Sequence, residues 1–415
     1  MALSTIRRKK LGLFAVFCTF LIDALSWSIV FPIFAPFFLD VENHLFSASM
    51  SIATRTTILG LFLAAFSLGQ FIGAPLLGEF ADRRGRKKTL SISVFFTLVG
   101  LALTAWSIQS ENLYFLFVSR ILTGIFAGNM SICMACIADL CPEQEERIKQ
   151  FGKISVISGI SFILGAFLGG KLSDPTVSSL FFPALPLWLA TCLTLVNFFF
   201  VLFAFPETMN KQMDEPMSVR SYFSNMRKAL RGRNVQSMYA IYFLFLFAWT
   251  LVLQFVPVLM VRHFHFTNSN LGDLALFMGI CWASGSGVLN HLLVKCVSSI
   301  KIMEGCLLFF TVLCFLLIFP MPIYKVLAVM AFCVIVGGLA WPHCSGMISQ
   351  AAPAQMQGNF MGLSQSLQSL AMGIAPAIGG VAYQGFSGFP FLLGALATLT
   401  AAILYFCMFH VKNSR

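Results

Sequence analysis

Along most of the chain, apolar positions come in unbroken runs of about 20 residues separated by short polar breaks, not in the alternating or amphipathic patterns of soluble elements. A helix of that length crosses a hydrocarbon core of about 30 Å. Outer-membrane strands would instead read as alternating segments of roughly ten residues. The pattern predicts twelve membrane helices, over 11–37, 57–80, 89–109, 113–139, 153–173, 183–205, 235–260, 272–294, 302–320, 323–350, 359–382 and 389–411. One long polar segment, 206–234, falls between the sixth and seventh. The fold class is therefore all-α integral membrane. A six-helix bundle spans 1–205, a cytoplasmic linker 206–234, and a second six-helix bundle 235–415.

Composition agrees with a bilayer as solvent: 58% of residues are hydrophobic and 10% charged, against about 25% charged in soluble proteins. The net charge of +11 follows from topology. Basic residues gather before the first span (Arg7 to Lys10), after the second (Arg83 to Lys88), after the fourth (Arg147, Lys149, Lys153), in the linker, after the eighth (Lys295, Lys301) and in the tail. Opposite-side loops hold only Arg55, Lys171, Arg262 and Lys325. Because Lys and Arg accumulate on the cytoplasmic side, both termini are expected there, and no nucleic-acid partner is called for. The first run is too long for a secretory signal and carries Asp23, so it reads as a permanent span.

Cysteine and histidine add little chemistry. The 12 cysteines are scattered mainly through the spans; Cys133 and Cys136 form a C-x-x-C inside the fourth span with no second pair, which reads as packing. His263 and His265 read as solvated surface. The chain has no phosphate-cradling G-x-x-x-x-G-K-[ST], no metal-ligand set and no nucleophile beside a base. It is therefore expected not to be an enzyme and to use no cofactor.

The halves resemble each other. An offset of 210 residues sets Tyr114 on Tyr324 and Gly128 on Gly338, and brings Gly169 and Gly170 onto Gly379 and Gly380. One shift serving two consecutive helices marks a tandem duplication. Duplicated bundles of this kind build secondary transporters, whose solute site lies near the midplane and opens to each side in turn.

The stretch "GEFADRRGRKKTL" between the second and third spans has the pattern G-x-x-x-D-R-x-G-R-K, carried by Gly78, Asp82, Arg83, Gly85, Arg86 and Lys87. This resembles the signature loop of the major facilitator superfamily. With "LIDALSWSIVFPIFAP", "RILTGIFAGN" and "IADLCPEQEERIKQFGKISVISGISFILGAFLGG", the chain looks most like the drug:proton antiporter subgroup that includes the bacterial tetracycline-resistance exporters. The resemblance implies a conformational latch at Gly78, Asp82, Arg83, Gly85 and Arg86, with the eleventh helix supplying an opposed N-terminus. Asp139, at the cytoplasmic end of the fourth span, is a candidate partner for Arg86, since arginine forms forked pairs with carboxylates. Two departures bear on substrate. Antiporters of the subgroup carry G-x-x-x-G-P-x-x-G-G in the fifth span, whereas this chain has Ser161, Gly165, Ala166, Gly169 and Gly170; the repeat-related position of Ala166 is Pro376. The resemblance to tetracycline exporters also implies an acid in the ninth span, in some members one in the third, and a histidine in the eighth; here 89–109 has no acid, the ninth has only Glu304 near its cytoplasmic end, and His291 sits late in the eighth.

Asp23 is the sharpest candidate. Counted from Leu11 at 1.5 Å per residue it lies about 18 Å from the cytoplasmic face, where a carboxyl costs several kcal/mol unless paired, hydrated or protonated. Arg120, seven residues into the fourth span from the other face, is expected at a similar depth in a 30 Å core. The two are expected to form a proton-sensitive pair. Candidate cavity residues by helix position are Trp27, Gln70, Asn129, Trp249, Gln254, Trp282, Trp341 and His343; each is weighed against ordinary packing. Gly165, Gly169, Gly170, Pro376, Gly379 and Gly380 are candidates for close helix packing.

These readings converge on a secondary transporter of a bacterial inner membrane, acting as a monomer, that exports a small amphipathic drug or metabolite in exchange for protons. The alternative is an inward facilitator or proton symporter for a nutrient or siderophore-like solute; a non-transporting membrane sensor ranks third.

Overall fold

The computed structural model describes residues 2–47, 49–141, 143–208, 233–351 and 357–409. Among these residues all regular structure is helical. Eleven helices are long and apolar enough to cross a membrane: α1 (Lys9–Leu39), α2 (Ile52–Arg84), α3 (Arg86–Gln109), α4 (Leu113–Leu140), α5 (Glu145–Leu172), α6 (Leu185–Ala204), α7 (Val235–Phe264), α8 (Asn268–Leu293), α9 (Ser299–Leu316), α10 (Ile323–Ile348) and α12 (Phe389–Phe409). The remaining predicted span is also a helix, α11 (Gln357–Ala382), but Gln365, Ser366, Gln368 and Ser369 dilute its apolar character. The expected linker lies outside the described residues from 209 to 232.

Three spans are interrupted. In α1 the helix stops at Ser28 and restarts at Phe31, where Pro32 suits a first turn because its missing N–H would have no partner there. In α4 it stops at Phe126 and resumes at Asn129. Within α8, Ser284–Leu289 forms a π-helical segment.

The contacts divide the chain into two compact units. The first holds Met1–Ala48, Ala65–Ser218 and Phe266–Leu276; the second holds Ser49–Ala64, Val219–His265 and Phe277–Arg415. Relative to the halves of the sequence, the first turns of α2 and of α8 are exchanged. Small residues account for this. In the second unit, Gly60 of α2 presses on the Pro376 carbonyl and on Gly380 of α11, and Thr57 Oγ1 donates to the Gly380 carbonyl at 2.8 Å. In the first unit, Gly170 of α5 meets Gly272 and the Asn268 carbonyl of α8. Backbones can approach this closely only where no Cβ intervenes.

Other glycines act similarly inside each unit. In the first, Gly69 and Gly73 of α2 lie on the Ile121 and Ile125 backbone of α4, and Gly165 and Gly169 of α5 lie on Leu25 and Ile29 of α1. In the second, Gly379 receives the Leu251 and Phe255 side chains of α7. Gly78 differs: nothing lies within 4 Å of the place its Cβ would take, whereas Gly73, five residues earlier, meets the Ile125 backbone. The core of the first unit includes Val16, Phe20, Leu77, Ala81, Leu90, Val94, Cys133, Cys136 and Val201. The C-x-x-C is therefore packed hydrocarbon, and no cluster of metal-ligating side chains occurs among the described residues.

Beyond the end of α5 the chain caps another helix. Asp174 Oδ2 accepts from the Ser269 N–H at 2.9 Å, in the open first turn of α8, while its Oδ1 accepts from the Thr176 N–H and hydroxyl at 2.9 and 2.6 Å. Lys171 Nζ bonds Asp273 Oδ2 and Ser269 Oγ, each at 2.8 Å. Burial would push the Asp174 carboxyl up, but hydrogen bonds from the Thr176 and Thr267 hydroxyls and the two N–H groups outweigh it and hold the group below its ordinary value.

Two predictions follow from this packing. Gly73→Val forces a side chain into the Ile125 backbone and should lower the melting temperature of purified protein by the equivalent of about 1–3 kcal/mol, whereas Gly78→Ala should leave it unchanged or slightly raised; equal losses at both sites would refute the packing assignment. A lowered carboxyl pKa contributes stability that is present above the ordinary carboxylate value and is lost as pH falls through the depressed one. Asp174→Asn should therefore melt below wild type at pH about 7, with the gap closing as pH drops below about 3.9.

Candidate functional site

The break in α4 falls inside a span, so its backbone groups need partners from neighbouring helices. Ala127 N–H bonds back to the Gly124 carbonyl at 3.1 Å. The freed Phe126 carbonyl accepts from Ser93 Oγ of α3 at 2.6 Å, and the Ala127 carbonyl accepts from Gln70 Nε2 of α2 at 3.3 Å. Side chains of neighbouring helices thus satisfy what the helix leaves open, the condition under which irregular backbone survives in a membrane.

Asn129, the first residue of the resumed helix, is 1% exposed. Its Nδ2 donates to Asp23 Oδ1 of α1 at 2.8 Å. Asp23 is half-buried, and this is the hydrogen bond it makes among the described residues. Asn129 Oδ1 is buried and has no partner among them. An ionised carboxyl only accepts hydrogen bonds, whereas a protonated one also donates. An amide, with one donor face and one acceptor face, can answer both forms.

The expected Asp23–Arg120 pair does not form in this structure. Arg120 is buried with its guanidinium over the Phe34 and Phe66 rings, 5.0 and 4.7 Å from their centroids. Phe34 stands eleven residues beyond Asp23 on α1, about 16 Å of helical rise. The depth estimate failed because α4 has 28 residues, about 42 Å of helix, and overruns the 30 Å slab from which depth was counted. Arg120 lies nearer the start of α4 and beside Phe34, and Asn129 is the residue at the level of Asp23.

At the turn from α2 into α3, Arg86 is the centre of a cluster. Its Nη1 pairs with Asp82 Oδ1 at 2.6 Å and its Nε with Asp139 Oδ2 at 3.1 Å; its side chain is 11% exposed. Arg83 pairs with Glu79 at 2.7 Å, one turn back on α2. Gly85 adopts φ +95°, a conformation that only glycine enters without strain, and turns the chain directly from α2 into α3. The open N-terminus of α3 is capped by Glu207: its Oε1 accepts from the Arg86 N–H at 2.9 Å and its Oε2 from the Lys87 N–H at 3.1 Å. A carboxylate at a helix N-terminus satisfies free donors and meets the positive end of the helix dipole. Asp82 holds Arg86; the residues that lead into the eleventh helix, 352–356, lie outside the described residues. Glu207 was missed in the sequence; its signal was an acid just past the sixth span, in "FPET".

The remaining cavity candidates fall into separate places. Trp249, Trp282 and Trp341 form one aromatic cluster in the second unit, with centroid separations of 5.1 Å (Trp249–Trp282) and 6.0 Å (Trp282–Trp341). His343 is buried in the same unit and its Nε2 lies 3.1 Å from Asn290 Oδ1. In the first unit Gln70 is taken up by the α4 break, and Trp27, 42% exposed, lies 5.9 Å from Phe162. Gln254 is half-buried on α7.

The comparisons with known proteins agree with this architecture. The model of the family described as Major Facilitator Superfamily matches residues 16–376. Tetracycline resistance protein, class B, of Escherichia coli is 27% identical over 88% of this chain and 86% of its own length. Multidrug resistance protein 2 of Bacillus subtilis (strain 168) is 25% identical over 86% and 87%. Among solved structures, the human organic anion transporter MFSD10 (TETRAN) superposes with a TM-score of 0.70 at 20% identity, over 96% of this chain and 99% of its own, a likeness of fold. With matching helices, matching signature loop and a family model spanning most of its length, this multi-pass membrane chain is not an enzyme and belongs to the Major Facilitator Superfamily of transporters.

Proposed function

We propose that the protein is a secondary active transporter that couples the export of a small amphipathic drug or metabolite to proton entry, by alternating access, with both termini on the cytoplasmic side of a bacterial inner membrane. The observation that carries this reading is the Asp23–Asn129 bond at the interruption of α4. A carboxyl group inside a span is retained against a cost of several kcal/mol. Here it faces an amide whose oxygen lacks a donor among the described residues. Ionised Asp23 accepts from Asn129 Nδ2; protonated Asp23 supplies a donor to the same amide. Proton binding at Asp23 thus exchanges one hydrogen bond for another at the point where α1 meets α4, and biases the two access states. The similarity to tetracycline and multidrug resistance proteins supports export.

The Asp82–Arg86–Asp139 cluster with Glu207 acts in this reading as a cytoplasmic latch on one access state. Ala166, standing where exporters of the subgroup have proline, favours a second reading, proton symport of a nutrient or siderophore-like solute.

Proteoliposomes holding purified protein, an imposed pH gradient and a panel of fluorescent drugs test the proposal. Wild type should accumulate a drug against its gradient in proportion to the proton gradient, and Asp23→Asn should bind or equilibrate the drug while losing all response to pH; an unchanged pH response in that variant would refute the coupling role. Solute movement in the same direction as protons would select symport. Glu207→Ala, which removes both acceptors from the α3 N-terminus, should cost about 1–3 kcal/mol of stability and slow transport without abolishing its pH response, read from melting curves and the same flux assay.

A further inference from the structure

The second unit differs chemically from the first in a way the transport reading does not use. Of the chain's 16 Asp and Glu residues, only Glu304 falls in the second unit. Its other ionisable side chains include Arg55, fully buried in the first turns of α2, and Arg262, whose guanidinium donates to Tyr383 Oη at 2.6 Å. Glu304 is six residues before Phe310 on α9, about 9 Å of rise, and Phe310 stands 6.1 Å from Trp249 at the edge of the tryptophan cluster. The cluster therefore lies in a unit whose fixed charges are almost all positive.

Three features of the cluster point to a ligand. First, its geometry is built: Gly337 leaves the space that Trp249 fills, and Gly338 admits the Trp282 backbone. Second, the π-helical segment Ser284–Leu289 begins two residues after Trp282. Its i→i+5 turn rotates the residues after it, so Trp282 and Asn290 both face α10, one against Trp341 and the other against His343. Third, none of the three indole N–H groups has an acceptor among the described residues, and none is sealed off as a buried unsatisfied atom. Tryptophan offers a donor and no acceptor, and buried indole N–H groups ordinarily find a partner. Trp249 is 7% exposed, while Trp282 and Trp341 are half-buried.

We infer that Trp249, Trp282 and Trp341 form a binding surface for a planar aromatic carboxylate, its ring stacked on the tryptophans and its acid group taking their indole N–H bonds. A cation would also be attracted to the ring faces. It would, however, have to draw its countercharge from Glu304, the unit's one carboxyl group, about 9 Å of helical rise from Phe310, and the indole donors would stay unspent. The inference rests on the transporter reading and narrows its solute, but it concerns binding alone and needs neither a gradient nor Asp23.

The test is equilibrium binding of radiolabelled 1-naphthoate to the full chain in neutral-lipid nanodiscs, competed by unlabelled 1-naphthoate and by 1-naphthylmethylammonium, which has the same ring and opposite charge. Naphthoate should bind saturably, and the ammonium should compete at least about tenfold more weakly. Trp282→Phe, which keeps a ring and removes the N–H, should weaken naphthoate by about five- to tenfold, and Trp106→Phe, outside the cluster, should not. Equal or tighter binding of the ammonium, no binding of naphthoate, or unchanged naphthoate affinity in Trp249→Phe, Trp282→Phe and Trp341→Phe alike would overturn the inference. The wild-type anion–cation comparison decides even where a variant fails to fold. Naphthoate binding that fails while Asp23-dependent drug flux persists would defeat this inference alone; the converse would defeat proton coupling alone.

Discussion

A peptide group left without a hydrogen bond in hydrocarbon costs several kcal/mol, and that constraint shapes this chain more than any single contact. It makes the described regular structure helical throughout. It also confines irregular backbone to places where other helices can serve it, as Ser93 and Gln70 serve the carbonyls of Phe126 and Ala127. The interruption of α4 is thereby fixed in position by residues of α2 and α3. Asn129, which begins the next helical stretch, is held where its amide reaches Asp23. The same need appears at the start of α3, whose N–H groups are answered by Glu207.

The spans were legible in the sequence because a bilayer imposes a length on apolar runs and tolerates few exceptions. Eleven predicted helices recur as apolar crossings, and α11 is helical although its serines and glutamines lower its hydropathy. The breaks were not legible as breaks. Gly124, Gly128 and Asn129 are compatible with a continuous packed helix, and only the availability of Ser93 and Gln70 nearby makes interruption affordable. The exchange of α2 and α8 segments between units was equally hidden, since Gly60, Gly170 and Gly272 announce a close approach without naming the partner.

The candidate site divides along similar lines. Asp23 stood out because intramembrane carboxyl groups are costly, and Arg86 with Asp139 because opposite charges at one membrane surface invite pairing; the structure places the latter two 3.1 Å apart. Arg120 misled because rise per residue fixes relative height only when the slab ends where the helix ends. Its guanidinium found the Phe34 and Phe66 rings instead, a partner class that charge counting overlooks. Glu207 lay just beyond the last apolar residue of a span, where composition gives no reason to choose one acid over another.

The exchange of segments bears on how the molecule is made. Ribosomes deliver α2 to the bilayer long before α11 exists, so Ser49–Ala64, including the fully buried Arg55, enters the membrane with its eventual neighbours unsynthesised. A chain truncated in the linker would leave Gly60 without Pro376 and Gly380 and Thr57 without the Gly380 carbonyl that it bonds at 2.8 Å.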